Sequence, residues 1–321
     1  GRNITRWRDD LLRDGYGSFF YLVHPDQAGV PSVSSLTARP APGPGWHYQA
    51  RFMADRVQFD AQGEDLSTTL TVLVSPEDDT ELRTVTLLNT GRTEQVLELV
   101  SCFEAVLADP RADEAHPAFS SLFVQTRWEP QWRALMHTRR PRLHGDPQMA
   151  VAHFLAEAEA DLISVACIAD RRVFAGRHHP AHQPALGDQP FDAQGQPVNG
   201  LDPVASLRVT LRLAPGALAR LSFATTVAGT ADELVPRIDK YLQPMHVERA
   251  TRMAATLAQV RLRDLALTPE ENLALQDMST ALMYSVGRPA ERTPLDQRQL
   301  WRFGLSGDKP IVLLRIHSPS G

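Results

Sequence analysis

Three strand-like segments between residues 65 and 107 constrain the fold more strongly than any other part of the sequence. They cover residues 66–74, 82–88 and 96–107, and each is rich in Val, Leu or Thr. The turn sequences Pro76-Glu77-Asp78-Asp79 and Asn89-Thr90-Gly91 separate them. Segments of this length and spacing, bounded by turn residues, predict an antiparallel meander and argue against continuous helices.

Strand signals continue over most of the chain as far as residue 229. Further segments with the same character are residues 16–23, 46–59, 123–126, 132–138 and 162–169. A final hairpin is predicted for residues 205–213 and 217–227, across the turn Ala214-Pro215-Gly216. Residues 109–123 and 174–202 lack a strand period and are predicted to be loops. The pattern predicts a mainly β fold with one large antiparallel domain.

After Gly229 the apolar period changes from two to about 3.6, which indicates helices. Residues 232–242 are predicted to form the first helix. On the second helix, one apolar face is predicted to hold Ala250, Met253, Leu257 and Val260. The sequence Thr268-Pro269-Glu270-Glu271 is typical of a capping box and predicts the start of a third helix, whose apolar side holds Leu275, Met278 and Leu282.

Charge and apolar content limit the classes of function. The formal net charge of the 321 residues is -5, so we expect no nucleic-acid partner, which would require a basic face. Cys102 and Cys167 lie in apolar segments and are typical of buried free thiols in a reducing compartment. The sequence has no apolar run of the roughly 20 residues that a membrane span needs, so we expect a soluble region.

The segment around Arg302 and Asp308 is the strongest candidate for a binding site. It places a guanidinium and a carboxylate beside Trp301 and Phe303, across the bend Gly304-Leu305-Ser306-Gly307. Arginine and carboxylate groups bind neighbouring sugar hydroxyls, and an aromatic ring can cover the apolar side of a pyranose. The alternative interpretation is an ordinary turn before an apolar strand. The G-x-S-x-G spacing of a nucleophile elbow is absent, so an activated serine is not predicted.

Three other groups of residues have a functional and a structural interpretation. His178, His179 and His182 have a spacing that could bind a metal, but they lie in a Pro-rich loop, and we expect no functional metal site. Asp113, Glu114 and His116 could form an acid/base cluster, although such residues more often cap backbone groups. Four tryptophans could either stack against a sugar ring or pack in the core: Trp7, Trp46, Trp128 and Trp132.

Several separated motifs, taken in order, resemble the cyclic β-1,2-glucan synthase family. The motifs are Thr5-Arg6-Trp7-Arg8-Asp9, Asp14-Gly15-Tyr16-Gly17-Ser18-Phe19-Phe20-Tyr21-Leu22, Val74-Ser75-Pro76-Glu77-Asp78-Asp79, Ala115-His116-Pro117-Ala118-Phe119-Ser120-Ser121-Leu122-Phe123-Val124, Arg139-Arg140-Pro141-Arg142 and the segment 301–316. The resemblance is to the region of these enzymes that is similar to the inverting disaccharide phosphorylases of glycoside hydrolase family 94. It covers nearly the whole chain.

The resemblance implies a domain order. We expect a galactose mutarotase-like β supersandwich over residues 1–229, a helical linker over residues 230–290, and the opening segment of an (α/α)6 barrel over residues 291–321. In the family, an Arg and an Asp six residues apart at the barrel entrance hold the donor-side glucose, a spacing that Arg302 and Asp308 share. The family's general acid lies deeper in the barrel, so no catalytic residue is assigned to this chain and we expect it to be inactive alone.

The resemblance also implies the chemistry and partners of the intact protein. An Asp protonates the glycosidic oxygen while inorganic phosphate, a co-substrate and not a cofactor, attacks the anomeric carbon, which shortens β-1,2-glucan chains. The expected partners are a β-glucan oligosaccharide and the chain's own downstream barrel, and a homodimer is left open. The expected location is the cytoplasmic side of an inner-membrane-associated bacterial protein. The alternative function is a stand-alone carbohydrate-binding or interaction module.

Overall fold

The computed structural model describes residues 2–6, 15–25, 31–141, 148–176, 183–198, 202–283 and 298–306. The chain divides into two compact units, Gly1–Gln259 and Val260–Gly321, which are described separately below.

The first unit is built from antiparallel strands in two sheets. In chain order the described strands are β1 (Asn3–Thr5), β2 (Ser18–Pro25), β3 (Pro31–Ser35), β4 (His47–Phe52), β5 (Val57–Gln62), β6 (Leu66–Val74), β7 (Thr80–Asn89), β8 (Gln95–Ala108), β9 (Val124–Glu129), β10 (Ala134–Arg139), β11 (Ala150–Glu159), β12 (Asp161–Asp170), β13 (Pro203–Leu213) and β14 (Leu218–Ala228). A six-stranded sheet has the order β12-β13-β8-β2-β3, with β1 also paired to β8, and an eight-stranded sheet has the order β4-β5-β6-β7-β14-β11-β10-β9. The predicted mainly β, antiparallel fold is confirmed.

The main core lies between the inner faces of the two sheets. Leu66 and Leu70 of β6 and Val85 and Leu87 of β7 are alternate residues that point into it, as expected for a sheet with one buried face. Phe20 on β2 meets Phe223 on β14 edge to face, with ring centroids 4.9 Å apart. Leu70, Leu99 and Leu207 are fully buried in the same cluster. The β domain therefore has a continuous hydrophobic core of its own.

The predicted three-strand meander is wrong in one respect, because β8 does not pair with β7. The strand β7 pairs with β6 and β14, whereas β8 crosses to the other sheet and lies between β2 and β13. The strand β8 is buried along most of its length on both faces, which suits a central position. Local spacing identifies the strands but contains no information on which sheet each one joins.

The predicted hairpin of β13 and β14 is corrected in the same way, since its two strands lie in different sheets. The turn between them is present, with Gly216 in the left-handed region at φ +70°. Beside it, the buried Asn89 side chain donates hydrogen bonds to the carbonyls of Thr93 at 2.8 Å and Leu213 at 2.9 Å. Its oxygen accepts from the N–H of Gly91. One side chain thus joins the β7–β8 and β13–β14 corners, two of the places at which the chain changes sheet.

Helices occupy the excursions and the C-terminal part of the described chain. They are α1 (Pro110–Ala115), α2 (Pro117–Ser121), α3 (Arg171–Ala175), α4 (Ala231–Tyr241), α5 (Pro244–Asp264), α6 (Pro269–Met283) and α7 (Arg298–Trp301). The loop predicted for residues 109–123 thus contains two short helices, each with Pro in its first turn. None of the described helices is long and apolar enough to cross a membrane.

The first helix after the sandwich covers part of the outer face of the eight-stranded sheet. Leu234, Ile238 and Tyr241 of α4 are fully buried against a second apolar cluster that includes Phe154 and Leu82. The last strand ends at Ala228 and α4 begins at Ala231. The predicted limit at residue 290 lies outside the described residues, and the division into three domains stays a prediction.

The buried face of α5 differs from the predicted one. Ala250 is buried as expected, but Val247, Ala254 and Ala258 accompany it, whereas Val260 is exposed. The buried face of α5 thus consists of Val247 and three alanines, of which Val247 and Ala250 belong to the second apolar cluster. The larger apolar residues Met253 and Leu257 are only partly covered.

The predicted capping box opens α6 in the second unit. The N–H of Thr268 donates to Glu271 Oε2 at 2.7 Å, and the N–H of Glu271 donates to Thr268 Oγ1 at 3.2 Å. This reciprocal pair satisfies two backbone donors at the start of the helix, and the prediction is confirmed.

Candidate functional site

The segment that carries Arg302 forms the predicted bend. The N–H groups of Phe303 and Gly304 donate to the carbonyls of Leu300 and Trp301, both at 2.9 Å, and Gly304 adopts φ +72°. The guanidinium carbon of Arg302 lies 4.7 Å from the centroid of the Phe303 ring. Asp308 lies outside the described residues, so its pairing with Arg302 stays a prediction.

The second unit buries none of its described side chains. Trp301 and Phe303 are 61% and 67% exposed. Other large apolar side chains that are exposed in this unit are Val260, Leu265, Leu273, Leu275, Met278 and Leu305. The first unit has a core, whereas the described part of the second presents its apolar residues outward.

The turn between β6 and β7 holds the two helices that follow the sandwich. Lys240 Nζ donates to Asp78 Oδ2 at 2.8 Å and to Glu77 Oε2 at 3.2 Å. The Tyr241 hydroxyl donates to Asp78 Oδ1 at 2.7 Å, and Arg249 on α5 donates to Glu77 at 2.7 Å. We name these five residues the linker clamp. It gives a structural role to the motif Val74–Asp79, for which sequence reasoning alone offers no partner.

Charge pairing in the linker clamp shifts the pKa of its groups. Partial burial raises the pKa of Asp78, but hydrogen bonds from Lys240, Tyr241 and Thr80 outweigh it, and the net pKa is lowered. Burial lowers the pKa of Lys240, yet the two carboxylates raise it overall. Both groups are therefore held in their charged forms. The clamp is a structural ion-pair network rather than an acid/base pair.

A second network brings together motifs that are about 100 residues apart in sequence. Arg6 Nε and Nη2 donate to the two carboxylate oxygens of Asp113, both at 3.0 Å, and Nη1 donates to Glu104. Arg171 donates to the other oxygen of Glu104 at 2.7 Å. Burial alone would lower the pKa of Arg6, but the hydrogen bond and charge of Asp113 and the charge of Glu104 raise it.

This network decides the interpretation of Asp113, Glu114 and His116. Asp113 is 2% exposed and forms a bidentate ion pair with Arg6. Glu114 and His116 are exposed and do not join it. The three residues therefore form no common acid/base site, and the structural interpretation is the one that the geometry supports.

The buried serine and histidine pair in the core is not a nucleophile site. Ser101 Oγ lies 2.7 Å from His153 Nε2, and it also accepts the N–H of Leu207 at 3.0 Å. His153 Nδ1 lies 3.0 Å from Thr225 Oγ1. Burial, with smaller contributions from His137 and Arg83, lowers the pKa of His153 to about 3. Ser101 is buried inside the sandwich, so these hydrogen bonds have a structural role in the core.

The remaining sequence candidates are structural or lie outside the described residues. Trp46 and Trp128 pack against the main core, and Trp132 packs against the second cluster. Burial raises the pKa of both free thiols, Cys102 and Cys167. The described part of the chain contains no group of three or more residues suited to hold a metal ion. Among the residues outside it are Trp7, His178, His179 and His182.

Comparisons with known proteins agree with this architecture. Residues 1–244 match the family described as "Glycosyl hydrolase 94, supersandwich domain". The chain is 32% identical over 323 residues to cyclic beta-(1,2)-glucan synthase NdvB of Rhizobium meliloti (strain 1021). That match covers 99% of this chain and 11% of the relative, so the chain spans a small part of that protein's length.

Two solved structures align with about three quarters of the chain at low TM-scores. A putative kojibiose phosphorylase from the human microbiome aligns over 76% of this chain and 28% of its own, with 6% identity and a TM-score of 0.42. A bacterial glucoamylase complexed with acarbose aligns over 74% of this chain and 30% of its own, with 4% identity and a TM-score of 0.41. On the sequence match over residues 1–244, the chain belongs to the glycosyl hydrolase 94 family through its supersandwich domain.

Proposed function

We propose that this chain is the non-catalytic sandwich and linker of a carbohydrate-active enzyme that shortens β-1,2-glucan chains by inverting phosphorolysis. In this proposal a downstream (α/α)6 barrel supplies the general acid, and Arg302 and Asp308 contribute to its donor-side sugar site. Inorganic phosphate is a co-substrate, and no cofactor is required. The protein would act on the cytoplasmic side of the membrane.

The observation that carries this proposal is the apolar surface of the second unit. Its described helices expose Leu273, Leu275 and Met278, and the segment after α7 exposes Trp301 and Phe303. A helix that shows its apolar residues to water is stabilised when a further layer covers them. The proposed cover is the barrel, because helices of an (α/α)6 barrel offer a matching apolar surface. Arg302, among these exposed residues, would then lie at the barrel entrance.

The linker clamp supports the same proposal from the sandwich side. A clamp of five charged or polar residues between one turn and two helices holds α4 and the start of α5 on the β domain. Such a network limits the motion of the linker relative to the sandwich. A sugar site shared with a barrel requires a fixed attachment of this kind at the start of the linker.

The test compares the 321-residue chain with the longer protein that includes the proposed barrel. Both are incubated with β-1,2-gluco-oligosaccharides and inorganic phosphate, and glucose 1-phosphate is measured. We expect the longer protein to release it and the 321-residue chain to release none. Enzyme-specific release by the 321-residue chain would overturn the non-catalytic role, and no phosphorolysis by the longer protein would overturn the proposed reaction.

A further inference from the structure

The outer face of β4, β5 and β6 presents a regular array of polar side chains. Across these strands, pairing places the side chains in three rows: His47–Gln62–Ser67, Gln49–Asp60–Thr69 and Arg51–Gln58–Thr71. Alternate residues of the same strands, such as Phe59 and Leu70, point into the core, so the nine polar side chains share the opposite face. None of the nine is buried. We name them the polar grid.

The polar grid carries almost no net charge. Its carboxylate and its guanidinium, Asp60 and Arg51, pair at 2.6 Å. The other positions are amides, hydroxyls and one imidazole, most of which both donate and accept hydrogen bonds. Edge strands of soluble proteins are usually protected by unpaired charges, above all Lys, and β4 carries none. The chemistry of this face suits a neutral ligand with many hydroxyl groups.

Hydrogen bonds hold the centre of the polar grid in one arrangement. Asp60 accepts from Gln58 Nε2 at 2.9 Å and from Thr69 Oγ1 at 2.8 Å, in addition to its bond from Arg51. Side chains that are fixed before binding lose less conformational entropy when a ligand arrives. The grid is therefore preorganised around its only carboxylate.

A groove lies along part of this face. Its volume is about 410 Å³, and it is lined by His47, Tyr48, Gln49, Asp60, Ala61, Gln62 and Ser67. Tyr48 and Ala61 pair with each other and alternate with the grid residues, so their side chains point to the opposite face and the side chains that line the groove are polar. Three strands and three rows span an area of about 10 by 14 Å. An area of this size accommodates a short oligosaccharide.

We propose that the polar grid and its groove bind a neutral glycan chain, at a site separate from the sugar contact expected at Arg302. The assignment to a neutral, hydroxyl-rich ligand follows from the self-neutralised charges and from the amides and hydroxyls of the grid. That the glycan is a β-1,2-glucan rests on the proposed function. Such a site would hold a long glucan on the sandwich while another part of the same glucan is processed.

The experiment titrates the 321-residue chain with β-1,2- and β-1,4-linked gluco-oligosaccharides and with an acidic oligogalacturonate, by calorimetry and by amide chemical shifts. The double variant Gln49→Ala/Gln62→Ala tests the grid, since both side chains are exposed. The matched control is Gln125→Ala on β9, an exposed Gln at the other end of the same sheet. Arg302→Ala removes the expected donor-side contact and leaves the polar grid intact, so it shows which of the two sites binds the sugar.

We expect saturable binding of the β-1,2-linked oligosaccharide, with shifts confined to β4–β6. The double variant should weaken it at least about tenfold, because it removes two or more hydrogen bonds. Gln125→Ala and Arg302→Ala should leave it unchanged. If only the β-1,4-linked sugar binds, and the double variant abolishes that binding, the polar grid is a glycan site but the glycan is not the β-1,2-glucan of the proposed function. Three results would overturn the proposal. Neither neutral sugar binds, or the acidic sugar binds more tightly than the neutral ones, or binding is lost only in Arg302→Ala.

Discussion

The hydroxyl of Tyr241 on α4 donates a hydrogen bond to the carboxylate of Asp78 at 2.7 Å, across 163 residues of sequence. The ring of Tyr241 is fully buried against the eight-stranded sheet, while its hydroxyl reaches the turn between β6 and β7. The same residue thus contributes to the apolar contact of the linker and to its polar clamp. The position of α4 on the sandwich depends on both.

Removing either partner of this hydrogen bond should destabilise the β domain. We expect Tyr241→Phe and Asp78→Asn each to lower the free energy of unfolding by about 1.5–3 kcal/mol, the range for hydrogen bonds to a charged group. Urea denaturation measures the change. In a double-mutant cycle, Tyr241→Phe should cost much less in the Asp78→Asn background. Strictly additive effects would show that the two groups are not coupled.

The ion pair of Arg6 and Asp113 should contribute strongly because both side chains are almost fully buried. In Arg6→Met the Asp113 carboxylate keeps its burial but loses the guanidinium, so we expect a loss of about 3 kcal/mol or more in unfolding free energy. Arg127→Met is the matched control, since the side chain of Arg127 pairs with Glu129 but is itself 54% exposed. That control should cost less than about 1 kcal/mol. Equal losses in both variants would contradict the role of burial.

Stability should fall as the pH is lowered from 6.5 towards 3. Burial lowers the pKa of His137 and of His153 to about 3, so in this window the unfolded chain binds protons that the folded chain does not. Each histidine should contribute a slope of about 1.4 kcal/mol per pH unit. The lowered pKa values of Asp60 and Asp78 place the loss of their contributions below pH about 4.

Urea denaturation at several pH values between 6.5 and 4.5 measures this slope. His137→Gln should be less stable at neutral pH, because the side chain is buried. Its unfolding free energy should depend less steeply on pH, because the contribution of His137 to the slope is removed. An unchanged slope in His137→Gln would show that this residue does not titrate as described.

In the longer protein with the proposed barrel, Arg302→Ala should weaken recognition of the donor-side glucose. Removing a charge-assisted hydrogen bond from a sugar site costs about 1.5–3 kcal/mol, which corresponds to a roughly 10- to 150-fold decrease in kcat/KM. The thermal unfolding temperature should not change, because Arg302 contacts Phe303 at an exposed bend. Asp308→Ala should have a similar effect, and unchanged kinetics in both variants would refute the assignment.

Sequence reasoning identifies the strands and turns of this protein because those signals are local. The capping box of Thr268 and Glu271 is one example, since the residues that form it are three positions apart. The bend at Gly304 is another, because its left-handed conformation favours glycine. The long apolar strand β8 is likewise identified, but its sheet is not. The alternation of apolar and polar residues shows which face of a strand is buried, but it does not identify the strand that lies next to it.

The contacts that build the sites cannot be found in this way. Arg6 and Asp113 are 107 residues apart, and Asp78 and Tyr241 are 163 apart, so no periodicity links them. The polar grid is not visible in the sequence because Gln49 and Asp60 become neighbours only through strand pairing. The predicted face of α5 is wrong because its buried face consists mainly of alanines, which are less hydrophobic than the partly covered Met253 and Leu257.

The position of β14 between β7 and β11 has a consequence for synthesis on the ribosome. Thr80 and Thr226, which share a buried hydrogen bond at 2.8 Å, are separated by 146 residues. Until the ribosome has released residue 228, the nascent chain holds β7 and β11 with one edge each unpaired. Because β14 is made late, the unpaired edges of these hydrophobic strands stay exposed during translation, where chaperones or other nascent chains can bind them. Pausing or truncation before β14 should therefore yield aggregates rather than a smaller sandwich.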